Sequence, residues 1–298
     1  MSPEENVTVR FYPPPDDLRR YFTTFYVAEF EPGTSGRLED CLHPEWGGLR
    51  IFNPTGPDAQ ISGGHNVINA QFFATGPTSL PVHFSMPKTR MWGIGFLPLG
   101  WAYFVRAPAG AHKNLICDGY LHPSFAPFAP LAQNLYGPQT DGLAELERIT
   151  NFFRHLTVRP LTDEPRIRAI HEGLVDPQLI TVAELVERVA ASPRTVERLC
   201  HKHFGFSPKL LLRRQRFMRS LAQFMIDPSL KWIGAMDSHY HDQAQFVRDF
   251  HEFMGMTPRE YSTTPHPVLE RIAQERNRVY GAAVQTMDRP AGVSATAA

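Results

Sequence analysis

Between Thr181 and Tyr261 the chain twice places an apolar helical stripe ahead of a short turn and a second helix, and one long helix joins the two units. In the first copy Val182, Leu185, Val186 and Val189 recur at helical spacing. Thr181 followed by Glu184 is a capping-box pattern, which fixes where that helix begins. Ser192-Pro193 predicts the next start, because serine satisfies exposed amides at an N-cap and proline is tolerated at the first helical position. A second such pair, Ser207-Pro208, opens a long helix reaching about Ile226, where Asp227-Pro228 stops it. In the second copy Leu230, Trp232, Ile233 and Met236 carry the stripe, with Gly234 among them at about 1 kcal/mol relative to alanine. Phe246, Phe250 and Phe253 then line one side of a helix that Gly255 ends. Two helix pairs bridged by one long helix make this stretch all-α.

Local charge narrows the partner. From Arg188 to Arg219 nine basic residues stand against one acid, Glu197, a net +8 in a chain whose formal net charge is zero. Such a block is an electrostatic footprint for a polyanion. On the helix after Ser192, Val196, Leu199, Cys200 and Phe204 can face inward, leaving Arg194, Glu197, Arg198 and His201 outward at spacings of three and four. A solvated stripe is the plainer reading of any one such helix. An arginine face near a helix start is also what major-groove reading requires, and the basic block favours that reading. In the second copy Gln243 and Arg248 are the residue types that pair with adenine and guanine edges. The bridging helix, at about 1.5 Å per residue, spans roughly 30 Å, near the roughly 34 Å of one turn of B-DNA. It can therefore hold two reading helices in successive major grooves.

Taken together, Ser192-Pro-Arg-Thr-Val-Glu-Arg-Leu199, Gly205-Phe-Ser-Pro-Lys209, the helix bearing Arg216, Asp242-Gln-Ala-Gln-Phe-Val-Arg-Asp-Phe250 and Gly255-Met-Thr-Pro-Arg-Glu-Tyr261 resemble the C-terminal DNA-binding domain of the AraC/XylS transcription regulators. The resemblance runs from roughly Pro165 to Tyr261 and implies an all-helical domain at about 165–262, with two helix-turn-helix subdomains and one recognition helix in each. By residue match, Arg194, Thr195, Glu197 and Arg198 fall on the first recognition helix and Gln243, Ala244, Val247 and Arg248 on the second. Lys202, Lys209, Arg213 and Arg214 are expected on phosphates. Double-stranded DNA is the implied partner, with RNA polymerase, a small-molecule effector and a second copy of the chain as further candidates. Two positions depart from the family pattern. His239 stands where the family has glycine before the aromatic Tyr240, and Gly234 where a large aliphatic residue is expected.

Residues 1–160 read differently, with most of the prolines and glycines punctuating short aromatic and branched runs. Val7–Tyr12, Tyr21–Phe30, Gly48–Phe52, Ala70–Ala74 and Met91–Phe96 are expected strands. The fold class is α+β: a β-rich sandwich or partial barrel with flanking helices, serving as a regulatory, effector or dimerisation domain, followed by the helical domain. Helices are expected at about Trp101–Arg106 and at Leu143–Leu156, whose stripe of Leu146, Ile149, Phe152, Phe153 and Leu156 suits packing on the β domain better than a dimer seam. Thr157–Glu164 reads as a linker, and 263–298 as a tail that is helical over Val268–Tyr280 and disordered from Ala291. Trp46, Trp92 and Trp101 read as core before pocket lining.

An enzyme fused to a DNA-binding module is the competing class. No Gly-rich phosphate loop, Gly-x-Ser-x-Gly elbow or Cys-x-x-Cys pair occurs. His43, His65, His83 and His112 are scattered, and the spaced pairs His201/His203 and His239/His241 lack a third ligand, so no catalytic residue, metal or cofactor is expected. Cys41, Cys117 and Cys200 read as reduced thiols, with Cys200 a small core residue. The chain shows neither a signal-like start nor a run of eighteen apolar residues, so a cytoplasmic protein away from membranes is expected.

Overall fold

A computed structural model describes residues 5–156 and 159–290. Thr157 and Val158 of the expected linker, and the expected disordered tail from Ala291, lie outside the described residues.

The N-terminal half is a two-sheet sandwich of strands β1 (Glu5–Tyr12), β2 (Phe22–Pro32), β3 (Arg37–Leu42), β4 (Gly48–Asn53), β5 (Asp58–Ile61), β6 (Asn66–Val67), β7 (Phe72–Thr75), β8 (Val82–Pro87), β9 (Thr89–Phe96) and β10 (Ile116–Asp118). The six-stranded sheet runs β1-β2-β9-β4-β7-β10 and the four-stranded sheet β3-β8-β5-β6. Alternation along each strand splits the large sheet's side chains between two apolar cores. Trp92, Ile94 and Phe96 of β9 join a core shared with helices, whereas Met91 joins one shared with the small sheet. An irregularity between Phe22 and Thr24 shifts the register of β2, which puts Phe22 and Phe25, three apart, on the same side. Burial on both faces explains why the central strands read as near-continuous apolar runs.

Helices cover the outer face of the large sheet. A short α1 (Pro98–Gly100) runs into a π-helical turn, Trp101–Val105, where a helix was expected; α2 (Ala129–Asn134) and α3 (Gly142–His155) follow. Asp141 starts α3 by accepting hydrogen bonds from the amides of Leu143 and Ala144. The apolar stripe of α3 packs on the sheet, with Phe153 against Phe22, Phe96 and Phe128. Buried Glu145 accepts the Trp92 indole at 2.6 Å and pairs with Arg90 at 2.6 Å. Of the apolar side chains of α3, Leu143 at the helix start is the exposed one.

The C-terminal half comprises α4 (Glu164–Val175), α5 (Val182–Val189), α6 (Pro193–Phe204), α7 (Pro208–Ile226), α8 (Lys231–Ala235), α9 (Gln243–Met254), α10 (Pro258–Thr263) and α11 (Pro267–Tyr280). Apolar packing does not stop at the expected domain boundary. Ile170, Leu185, Leu199 and Phe204 belong to the same cluster as Trp46 and Phe96. The second half of α7, with α9 to α11, builds a core of its own around Phe217, Phe250 and Phe253. The chain then doubles back, and α11 lies against β1, β3 and α7. Its start is capped from the other half of the molecule: Asp40 of β3 accepts the amides of Val268 and Leu269, both at 2.9 Å, and His266 Nδ1 at 2.9 Å.

Candidate nucleic-acid interface and an adjoining cavity

Each expected cap of the first helix pair forms. The Thr181 hydroxyl accepts the Glu184 amide at 3.2 Å, and the Glu184 carboxylate accepts the Thr181 amide at 2.9 Å. The Thr181 and Ile180 amides, both donating to the carboxylate, hold the Glu184 carboxyl below its ordinary pKa. Ala190 closes the helix in the left-handed region at φ +51°, a conformation the sequence reading did not anticipate. Ser192 then caps α6, accepting the Thr195 amide. On α6, Val196, Leu199, Cys200 and Phe204 are buried while Arg194, Glu197, Arg198 and His201 are exposed, with Thr195 half-buried. Burial pushes the Cys200 thiol up to about 12, as suits a core residue.

The second pair reaches the same arrangement by a different turn. Asp237 accepts the His239 amide at 2.9 Å and ties down Arg219 at 2.5 Å, so His239 takes the family's glycine position without positive φ. Gly234 is exposed on the short α8, which removes the need for a large aliphatic side chain. Asp242 caps α9 through the Gln245 amide at 2.6 Å, and Gln245 returns a bond to the His241 amide. Gln243, Ala244, Val247 and Arg248 all stand exposed. A side chain that the sequence reading missed fixes the helix. Asp249, 2% exposed, binds Arg213 at 2.5 Å, Arg216 at 3.1 Å and the Tyr240 hydroxyl at 3.0 Å. The second reading helix is thus anchored at Arg213 and Arg216, in the first half of α7, so the length of α7 does not by itself set the separation of α6 and α9.

The basic block is largely answered by acids outside it, and one expected phosphate contact, Arg214, is corrected. Lys202 pairs with Asp163 at 3.0 Å. Burial alone would raise the Asp163 carboxyl, but its bonds from Lys202 and His203 outweigh that and hold it low. Arg213 pairs with Asp249 and Glu252, Arg216 with Asp249, Arg219 with Asp237 and Arg188 with Asp176. Arg214 is not at the surface at all. It is fully buried, its guanidinium 4.2 Å from the Trp46 ring centre and donating to the Thr78 carbonyl at 2.8 Å. Burial pulls its pKa down to about 9. Lys209 is exposed at the start of α7, as expected. The +8 of the sequence therefore resolves into a small exposed set, Arg194, Arg198 and Lys209, beside the α6 face. Nothing in the sequence neighbourhood of the basic block showed which acids would answer it.

Behind this interface lies a cavity of about 90 Å³ between the large sheet and the helices. Its floor is Thr24, Tyr26, Gly48, Arg50 and Gly95; its roof is Met218 and Met225 of α7 with Ile272 and Arg276 of α11. Arg50 binds Glu45 at 2.8 Å, and this pairing overrides burial to keep the guanidinium charged. Nearby, Asp40, Cys41 and His266, a group that the sequence did not single out, bring three potential metal-ligand atoms within 4.8 Å of one another. Both Asp40 oxygens are already spent, on Cys41 and His266 and on the α11 amides, so the cluster serves as a helix cap.

Two helix pairs, each with a side-chain-capped second helix that presents an exposed polar face, define a tandem helix-turn-helix module. Residues 185–264 match the family described as a helix-turn-helix domain, and the chain is a DNA-binding transcription regulator carrying a domain of the AraC type after a β-rich N-terminal region. Among solved structures it is similar to ToxT from Vibrio cholerae O395 at 10% identity and a TM-score of 0.42, covering 87% of this chain and 97% of that one. It is also similar to the AraC-like transcriptional activator CuxR at 14% identity and a TM-score of 0.24, covering 73% and 87%. No curated protein matches the chain. Among the described residues no helix is long and apolar enough to cross a membrane.

Proposed function

We propose that this regulator reads a bipartite DNA site, placing α6 and α9 in two successive major grooves, and that a small molecule in the cavity beneath α7 tunes the pairing. The observation that carries the reading is the shared design of the two helices. Each begins at a side-chain cap, buries one face, and leaves its expected base-reading residues exposed: Arg194 and Arg198 on α6, Gln243 and Arg248 on α9. An effector role for the cavity is supported by its position, because α7 roofs the cavity and also anchors α9 through Arg213 and Arg216. RNA polymerase and a second copy of the chain belong to the same reading as protein partners. Selecting bound duplexes from a random pool tests it. The expected result is two conserved elements roughly one turn apart, about 10 base pairs centre to centre. A single element, or two at variable spacing, would overturn the two-groove reading.

A further inference from the structure

We propose that residues 267–288, which lie beyond the helix-turn-helix match, form the closing wall of the cavity over an apolar ligand whose oxygen acceptor, a carboxylate or a carbonyl, meets Arg276 and Arg50. The inference rests on the effector reading above and specifies its ligand class and its lid.

The hollow exists because side chains are missing from one face of the sheet. Gly48 and Gly95 line it, and a Cβ on Gly95 would strike Thr23 and the end of Gln285 in the wall. Leu269, Ile272, Ala273 and Val284 supply apolar surface from the C-terminal segment, facing Met218 and Met225 of α7. A pocket so lined takes an apolar body. Its polar groups include spare donors. Among the described residues Arg50, 8% exposed, has no partner for Nε and Nη1, and Arg276, 3% exposed, has none for Nε. Guanidinium nitrogens can only donate, so the group that completes them must accept. Each cation already has an acid, Glu45 for Arg50 and Asp288 for Arg276. The pairs balance one another, and a neutral carbonyl therefore suits the donors as well as a carboxylate does.

The wall itself is fastened at a few polar points. Asp40 caps its front; at the rear Gln285 donates to Glu45 and accepts from Thr23, and Gln215 of α7 donates to the Thr286 carbonyl at 2.7 Å. The wall also buries Val268, Leu269, Ala273 and Val284 in the neighbouring cores, and every one of these polar bonds joins the segment to the β sandwich or to α7. A ligand that adds contacts to Arg276 and Ile272 thus tightens the wall against the bridging helix.

Calorimetry on the full chain with 4-phenylbutyrate, methyl 4-phenylbutyrate and butylbenzene tests the assignment. The acid and the ester are expected to bind at least tenfold more tightly than the hydrocarbon. Ile272→Trp, which fills the hollow while sparing every fastening bond, is expected to abolish binding; Arg276→Gln is expected to bring the acid and ester down to the level of butylbenzene. Bound probe should also slow tryptic cleavage after Arg278, which is exposed near the end of α11. Equal binding of all three probes overturns the acceptor assignment, and unchanged cleavage overturns the lid. Binding that both variants leave intact sinks this inference while sparing the effector reading. Absence of binding by any probe to the unaltered chain sinks both.

Discussion

Arg198 and Arg214 carry the same side chain within one basic block, and their surroundings give them opposite work. Arg198 is exposed on the face of α6 that its cap and buried stripe turn outward. Replacing it with alanine should cost about 1 to 3 kcal/mol of binding at one base position and relax the preference there. Equal losses on selected and random duplexes would remove the base-reading role. Arg214 is buried against Trp46, and among the described residues its Nε and Nη2 have no partner. A buried cation lacking a carboxylate is replaceable by an apolar residue of similar volume without loss. Arg214→Met should therefore keep or raise the denaturation midpoint and leave the salt dependence of DNA binding unchanged. A flattened salt slope would return Arg214 to the phosphates. Ala190 presents the converse case, a side chain where none is wanted. At φ +51° an L-residue is strained by about 1 kcal/mol, and glycine is not. Ala190→Gly should raise stability by about 0.5 to 1 kcal/mol in urea denaturation, whereas a loss would mean the turn is unstrained.

Among elements, α9 depends on a single buried carboxylate. Asp249 ties it to α7 through two arginines and to Tyr240, and removing one partner of such a network strands the others. Asp249→Ala should cost about 2 to 3 kcal/mol by chemical denaturation and reduce affinity for a bipartite site toward that of the α6 half-site alone. Unchanged affinity would show that α9 needs no such anchor. The helical elements were legible in the sequence where their starts are chemical: Thr181, Ser192 and Ser207 each cap a helix, whereas the cap at Asp242 was not read. The long strands β1, β2, β4, β7 and β9 were legible as apolar runs. Short β3, β5, β6, β8 and β10 were not read, since alternation over a few half-exposed residues is a weak signal. Side chains that neutralise the basic block stayed hidden for another reason. Asp163, Asp176 and Asp237 lie outside it in sequence, and Asp249 and Glu252 reach Arg213 from more than thirty residues away.

For the molecule as a whole, the joints between the β sandwich and the helices contain buried neutral histidines. His171 of α4 sits edge-on to Trp46, and His43 bonds the Tyr261 hydroxyl at 2.8 Å. Burial pulls His171 down to about 3, against a smaller opposing bond that the imidazole donates to the Asp288 carbonyl. Burial, with the nearby His266, likewise pulls His43 down to about 3. In the unfolded chain each binds a proton near pH 6.5, so between about pH 6.5 and 3 the unfolded state carries more protons than the folded one. The stability these sites contribute is therefore fully present above pH 6.5 and is lost as the pH falls below it. Each should add a slope approaching about 1.4 kcal/mol per pH unit. Denaturation between pH 7 and 5, above the range where most carboxylates titrate, should show this fall, and His171→Leu and His43→Gln should each remove one proton's share. Because both histidines sit where the sandwich meets the DNA-binding helices, acid is expected to loosen the joint that carries any signal from the cavity to α6 and α9. Stability that stays flat over that interval would mean these imidazoles are reached by water and charge freely in the folded protein.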